Sequence, residues 1–65
     1  MPSTVIASFN YNVETNVLTI VFVSGMVYHY KNVPEKIYKN MKNSMSKGIY
    51  FNQHIKDKYE FEKIS

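Results

Sequence analysis

The sequence predicts an α+β domain: a three-stranded antiparallel meander, extendable by a short fourth strand, followed by two α-helices on one sheet face. Three observations carry this. Residues 5–30 hold short apolar runs that alternate with period two and are separated by turn formers. Ser24-Gly25 supplies a hairpin signal within that stretch. After Pro34 the apolar spacing changes to that of a helix. The 65 residues are expected to form one domain over 1–65. A chain of this size buries only about 60% of its unfolded surface, so its stability margin is small.

The first strand is expected over residues 5–11, with Ala7, Phe9 and Tyr11 on one side, and the chain reverses over 12–16. Val17-Leu-Thr-Ile-Val-Phe-Val23 is β-branched and aromatic, with Leu18, Ile20 and Phe22 on one face and Val17, Thr19, Val21 and Val23 on the other. The return strand runs from Met26 to Tyr30. Pro34 suits the first helical turn, and Glu35 suits the positive end of the helix dipole. Along that helix Ile37, Tyr38, Met41 and Met45 form an apolar face, opposite Lys36, Lys39 and Lys42. Ser46 is the expected N-cap of a second helix reaching about Lys56, in which Phe51 and Ile55 lie one turn apart, as do Tyr50 and His54. Tyr59-Glu60-Phe61-Glu62 alternates and can add the short fourth strand.

Charge is unevenly placed. Residues 1–30 carry Glu14 and no lysine, whereas 31–65 carry all eight lysines against four acids. A basic half on a small domain is the electrostatic footprint of nucleic-acid binding. The plainer reading is compositional: arginine is absent and asparagine occurs seven times, as in an AT-rich coding sequence. Arginine is also the side chain best suited to bidentate base and phosphate contacts.

Tyr28-His29-Tyr30 leaves two registers open. If Ser24-Gly25 alone forms the loop, Val21 opposes Tyr28 and both tyrosines join the small-residue face, free to stack on bases. If the loop takes in Met26, Phe22 opposes Tyr28, Ile20 opposes Tyr30, and both rings join the larger apolar face. Burial at about 25 cal/mol per Å² favours the second in so small a domain.

These residues together resemble the KTSC domain family, small bacterial domains named for the carboxy-terminal segment of some lysyl-tRNA synthetases. The resemblance spans roughly residues 5–60. Its carriers are Ile6, Ser8 and Tyr11, then Leu18-Thr-Ile20-Val-Phe22, Gly25, the Tyr28-His29-Tyr30 triplet and Val33-Pro34. The Ser46-x-Gly48-x-x-Phe51-Asn52-x-x-Ile55 block completes it. The family often has charged residues where Thr19, Val21 and Val23 stand, and arginines near Ile49 and Gln53. The first departure implies a covered or adhesive second sheet face. The resemblance implies a fold pattern and, through the synthetase association, RNA as a partner, with no mechanism.

Chemistry is sparse. His29 and His54 are the two imidazoles and Asp57 the lone aspartate; His54 and Asp57, three apart, could pair on one helix. Without a nucleophile beside them that pair reads as a surface hydrogen bond, so the domain is expected not to be an enzyme. Two histidines fall short of a zinc set, cysteine is absent, and two glycines make no phosphate loop. No metal, cofactor or small-molecule substrate is expected. No apolar run approaches the roughly 20 residues of a membrane span and no leader pattern opens the chain, so no membrane partner and a cytoplasmic location are expected.

The leading expectation is a non-catalytic domain that binds RNA, or nucleic acid generally. Lys36, Lys39, Lys42 and Lys47 would meet phosphates, Tyr28 and Tyr30 or Tyr50 would stack if exposed, and Asn52 would join Lys47 at the second helix amino terminus. The plainer roles are capping by Ser46, close approach at Gly48, backbone satisfaction by Asn52, and core filling by Met26, Met41 and Met45. The rival expectation is association with itself or another protein through Val17, Val21 and Val23 or a strand edge.

Overall fold

The β-branched run forms the centre of the sheet because both its faces are apolar and it has neighbours on either side. The computed structural model describes residues 6–64. It contains β1 (Ile6–Asn12), β2 (Val17–Phe22), β3 (Val27–Tyr30), α1 (Glu35–Asn43), α2 (Lys47–His54) and β4 (Phe61–Lys63). The four strands make one antiparallel sheet in the order β1-β2-β3-β4. Leu18, Ile20, Tyr30, Val33, Met41, Phe51 and Ile55 form the core, which places both helices on the Leu18/Ile20 face.

The expected alternation in β1 is broken by a bulge between Ile6 and Ser8. The extra residue turns Ala7 outward, against expectation, and brings Ile6 to the same side as Phe9 and Tyr11. Val5, expected to open this strand, lies outside the described residues. The reversal is held by Asn12, whose side-chain oxygen accepts from the Glu14 and Thr15 amides at 2.9 and 3.3 Å.

The second turn settles the tyrosine register. Phe22 N–H donates to Met26 O, and Gly25 N–H donates to Phe22 O, both at 2.9 Å. The loop is therefore Val23-Ser24-Gly25, three residues ending in glycine at φ +97°, where a Cβ would be strained. Ile20 faces Tyr28 and Leu18 faces Tyr30. Both rings lie on the large apolar face, as the burial argument favoured, but two residues out of the register expected for that case. Met26 closes the hairpin opposite Phe22 and is 37% exposed rather than core.

Pro34 caps α1, accepting at its carbonyl from the Ile37 amide at 3.0 Å. Met41 is buried and Ile37 and Tyr38 are half-buried, but Met45 is fully exposed. The helix stops at Asn43, because Ser44 adopts extended backbone and its hydroxyl donates to Met41 O at 2.8 Å. Helical spacing no longer governs Met45. Ser46 caps α2, accepting from the Ile49 amide at 3.4 Å. That helix ends at His54, short of Lys56, where the amides of Ile55 and Lys56 both converge on Phe51 O.

Candidate functional site

Two aromatic clusters line the helix-facing side of the sheet. On the β1 side, Tyr38 of α1 stacks on Tyr11 (5.0 Å, 12°) and meets Phe9 edge-on (5.9 Å). Tyr11 Oη donates to Val33 O at 2.6 Å and accepts from Asn16 Nδ2 at 2.9 Å, while Val33 N–H donates to Asn16 O at 2.9 Å. The β1–β2 turn, β1 and the approach to α1 are thus tied together. All three rings are half-buried.

The second cluster lies on the β3–β4 side. Phe51 of α2 meets Phe22 and Tyr30 edge-on at 5.7 and 5.4 Å, and Phe61 of β4 lies over Tyr28 and Tyr30 at 5.3 and 5.4 Å. α2 is only eight residues long and covers one part of this surface. What remains is a cleft of about 260 Å³ with an aromatic floor. Its rim carries Asn52, Lys56 and Asp57. Phe61 is 52% exposed, large for an aromatic in contact with buried Tyr30.

Burial pushes the Tyr30 phenol up to about 12, helped by neighbouring Tyr28 and by the Asp57 carboxylate. Asp57 therefore acts on the cleft floor. It has left-handed backbone (φ 65°), which few residues besides glycine, asparagine and aspartate adopt readily. The idea that His54 and Asp57 share a helix fails: His54 is the last residue of α2 and its ring packs on Tyr50 at 4.4 Å, while Asp57 lies beyond the helix. Among the described residues no three His, Asp or Glu side chains converge as metal ligands.

The sequence-derived site residues do not form one constellation. Tyr28, Tyr30 and Asn52 come together in the cleft. Lys36, Lys39 and Lys42 are exposed on α1, which packs over β1 and away from it. Lys39 forms an ion pair with Glu35 at 3.7 Å. Half-buried Lys47 donates to Ser44 O at 2.9 Å, bridging the joint between the helices. Tyr50 is half-buried against His54, outside the cleft. Sequence reasoning missed Phe22, Phe51, Lys56, Asp57 and Phe61 as cleft residues. The signal was the alternating tail: pairing Phe61 with Tyr30 puts its ring on the helix-facing side.

The fold and cleft define a class: a small α+β domain with both described helices on one face of a four-stranded meander and an aromatic groove beside the second helix. Comparison with known proteins narrows it. The KTSC domain model matches residues 2–59, and the chain belongs to the KTSC domain family. It is 46% identical over 61 residues to a lysine–tRNA ligase of Nostoc punctiforme, covering 94% of this chain and 11% of the ligase. A lysine–tRNA ligase of Trichormus variabilis is 40% identical over 60 residues, covering 92% of this chain and 11% of the ligase. The chain thus spans about a tenth of the length of the curated relatives it matches. The crystal structure of a KTSC domain protein from Yersinia pestis superposes with a TM-score of 0.89 at 35% identity, covering 100% of this chain and 92% of that one. No helix among the described residues is long and apolar enough to cross a membrane.

Proposed function

We propose that this chain is a non-catalytic RNA-binding domain of the cytoplasm, whose contacts begin at the lysine-bearing face of α1. The observation that carries the reading is the similarity to a segment of proteins named for joining lysine to tRNA. The exposed Lys36, Lys39 and Lys42, opposite half-buried Ile37 and Tyr38, support it. Of these, Lys36 and Lys42 carry the expectation, because the Glu35 carboxylate partly neutralises Lys39.

The test is a titration of labelled single-stranded and hairpin RNA. Binding should weaken with salt, log K falling by about 0.7 per single-strand phosphate neutralised. The double variant Lys36→Glu/Lys42→Glu should lower affinity for every RNA alike. Absence of binding at high micromolar protein ends this reading.

A second reading, self-association, draws support from the other sheet face. Among the described residues no helix packs there; Val21 and Val27 pair on it, and Val23 at the adjoining turn is 67% exposed. Sedimentation at micromolar concentration distinguishes the two. A dimer that survives Lys36→Glu/Lys42→Glu and binds no RNA favours association.

A further inference from the structure

The lysines of α1 account for phosphate contacts, which position a nucleic acid without reading it. Nothing in those lysines explains the aromatic groove at the β3–β4 end of the helix-facing side. Several features there point to one ligand chemistry. The groove's about 260 Å³ lies below the ~300–1,000 Å³ of ordinary drug-sized sites, so it suits a single flat ring system. Phe61 leaves half of its surface open above Tyr28 and Tyr30. The rim carries a cation, Lys56, immediately followed by an anion, Asp57. Lys63 stands opposite Tyr28 in the β3–β4 register, and among the described residues neither Lys56 nor Lys63 is ion-paired. Glu62, the acid between Phe61 and Lys63, pairs instead with Lys31 at 3.6 Å.

We propose that this groove is a nucleobase pocket: an unpaired guanine of RNA stacks on Phe61, its edge N–H groups donate to the Asp57 carboxylate, and Lys56 and Lys63 meet the adjoining phosphates. The inference rests on the RNA-binding reading and deepens it. Single-stranded RNA is read by stacking unpaired bases on aromatic rings and bonding their edges. A carboxylate accepts two parallel N–H bonds. Guanine alone among the four bases presents two adjacent donors, N1–H and N2–H, on its Watson–Crick edge. Adenine, cytosine and uracil each set a ring nitrogen or carbonyl acceptor beside their donor, which the carboxylate repels. The raised Tyr30 phenol agrees with this placement, since Asp57 is close enough to the floor to disfavour its ionisation.

The experiment measures fluorescence anisotropy at low salt with three labelled probes: a short oligouridylate, the same strand with one central guanosine, and a blunt RNA duplex. The guanosine strand should bind about tenfold more tightly than oligouridylate. Asp57→Asn should remove that preference while the oligouridylate remains bound; asparagine tolerates the left-handed backbone there, so the fold is kept. Phe61→Ala should weaken both single strands about tenfold and leave the duplex unchanged. Thermal unfolding checks that each variant is folded.

Equal binding of the two single strands by the unaltered protein, or no effect of either variant, overturns the pocket. If Lys36→Glu/Lys42→Glu still lowers affinity in that case, the RNA reading stands alone. If no RNA binds but guanosine monophosphate shifts the Asp57 and Phe61 amide resonances, and Asp57→Asn removes the shift, the pocket survives as a nucleotide site and the RNA reading falls. If neither RNA nor nucleotide binds, both fall.

Discussion

The two ends of the sheet use the same materials to opposite effect. At the β1 end Phe9, Tyr11 and Tyr38 close on one another, and the Tyr11 hydroxyl joins two loops. At the β3–β4 end Phe22, Tyr28, Tyr30, Phe51 and Phe61 form a larger aromatic group that stays partly open. The difference lies in what covers each group. α1 lays the Tyr38 ring on Tyr11, whereas β4 has only three residues and its Phe61 is 52% exposed beside Tyr30. The exposure of an aromatic cluster therefore follows from its cover and not from its composition.

The comparison breaks if Tyr38 contributes no more stability than Phe61. The largest effect is expected at Tyr38→Ala, which removes a half-buried ring stacked on Tyr11. A loss of about 2–3 kcal/mol is expected, below the 3–5 of a fully buried aromatic, and chemical denaturation measures it. Such a loss is a large share of the total for a 65-residue domain.

Next comes alkali. Tyr30 titrates near 12 when folded against 10 unfolded, so its contribution is fully present below pH 10 and is lost as pH rises from 10 to 12. Because the phenol borders an open cleft and is partly screened by solvent, on the order of 1–2 kcal/mol disappears across that window. Unfolding followed by circular dichroism against pH should move with this window in the native chain, and Tyr30→Phe should flatten the dependence. An unchanged profile in Tyr30→Phe would remove Tyr30 as the cause.

Tyr11→Phe sharpens the comparison further. It leaves Val33 O without its 2.6 Å donor and should cost about 1–2 kcal/mol, with faster hydrogen exchange at the Val33 amide. The smallest effect is expected at the open end, where Phe61→Ala removes a ring already half in water and should cost about 1 kcal/mol or less. A larger loss there than at Tyr38 would reverse the assignment of the two ends.

Much of this architecture was readable along the chain. Leu18 and Ile20, Pro34 and Ser46 act locally, through alternation, fixed φ and capping, so their positions followed from neighbours in sequence. The misplacements share one cause. Ala7, Met26 and Met45 each sit where a regular element stops being regular, at a bulge, a three-residue loop and a helix end. Periodicity extrapolated through such points assigns the wrong face. The candidate site residues divided for a related reason. Lysines on α1 were visible as one helical face, but their distance from Tyr28 and Tyr30 depends on which strand α1 covers.

The amino-acid order by itself determined the strands, the helices, the inward face of β2 and the resemblance to the KTSC family, because each rests on contacts between residues a few positions apart. The tertiary structure decided the tyrosine register and the partners of each aromatic cluster. Those depend on residues distant in sequence: Phe61 meets Tyr30 across a strand pairing, and Val33 meets Tyr11 across 22 positions of chain. Local propensity carries no information about such partners until the chain has packed.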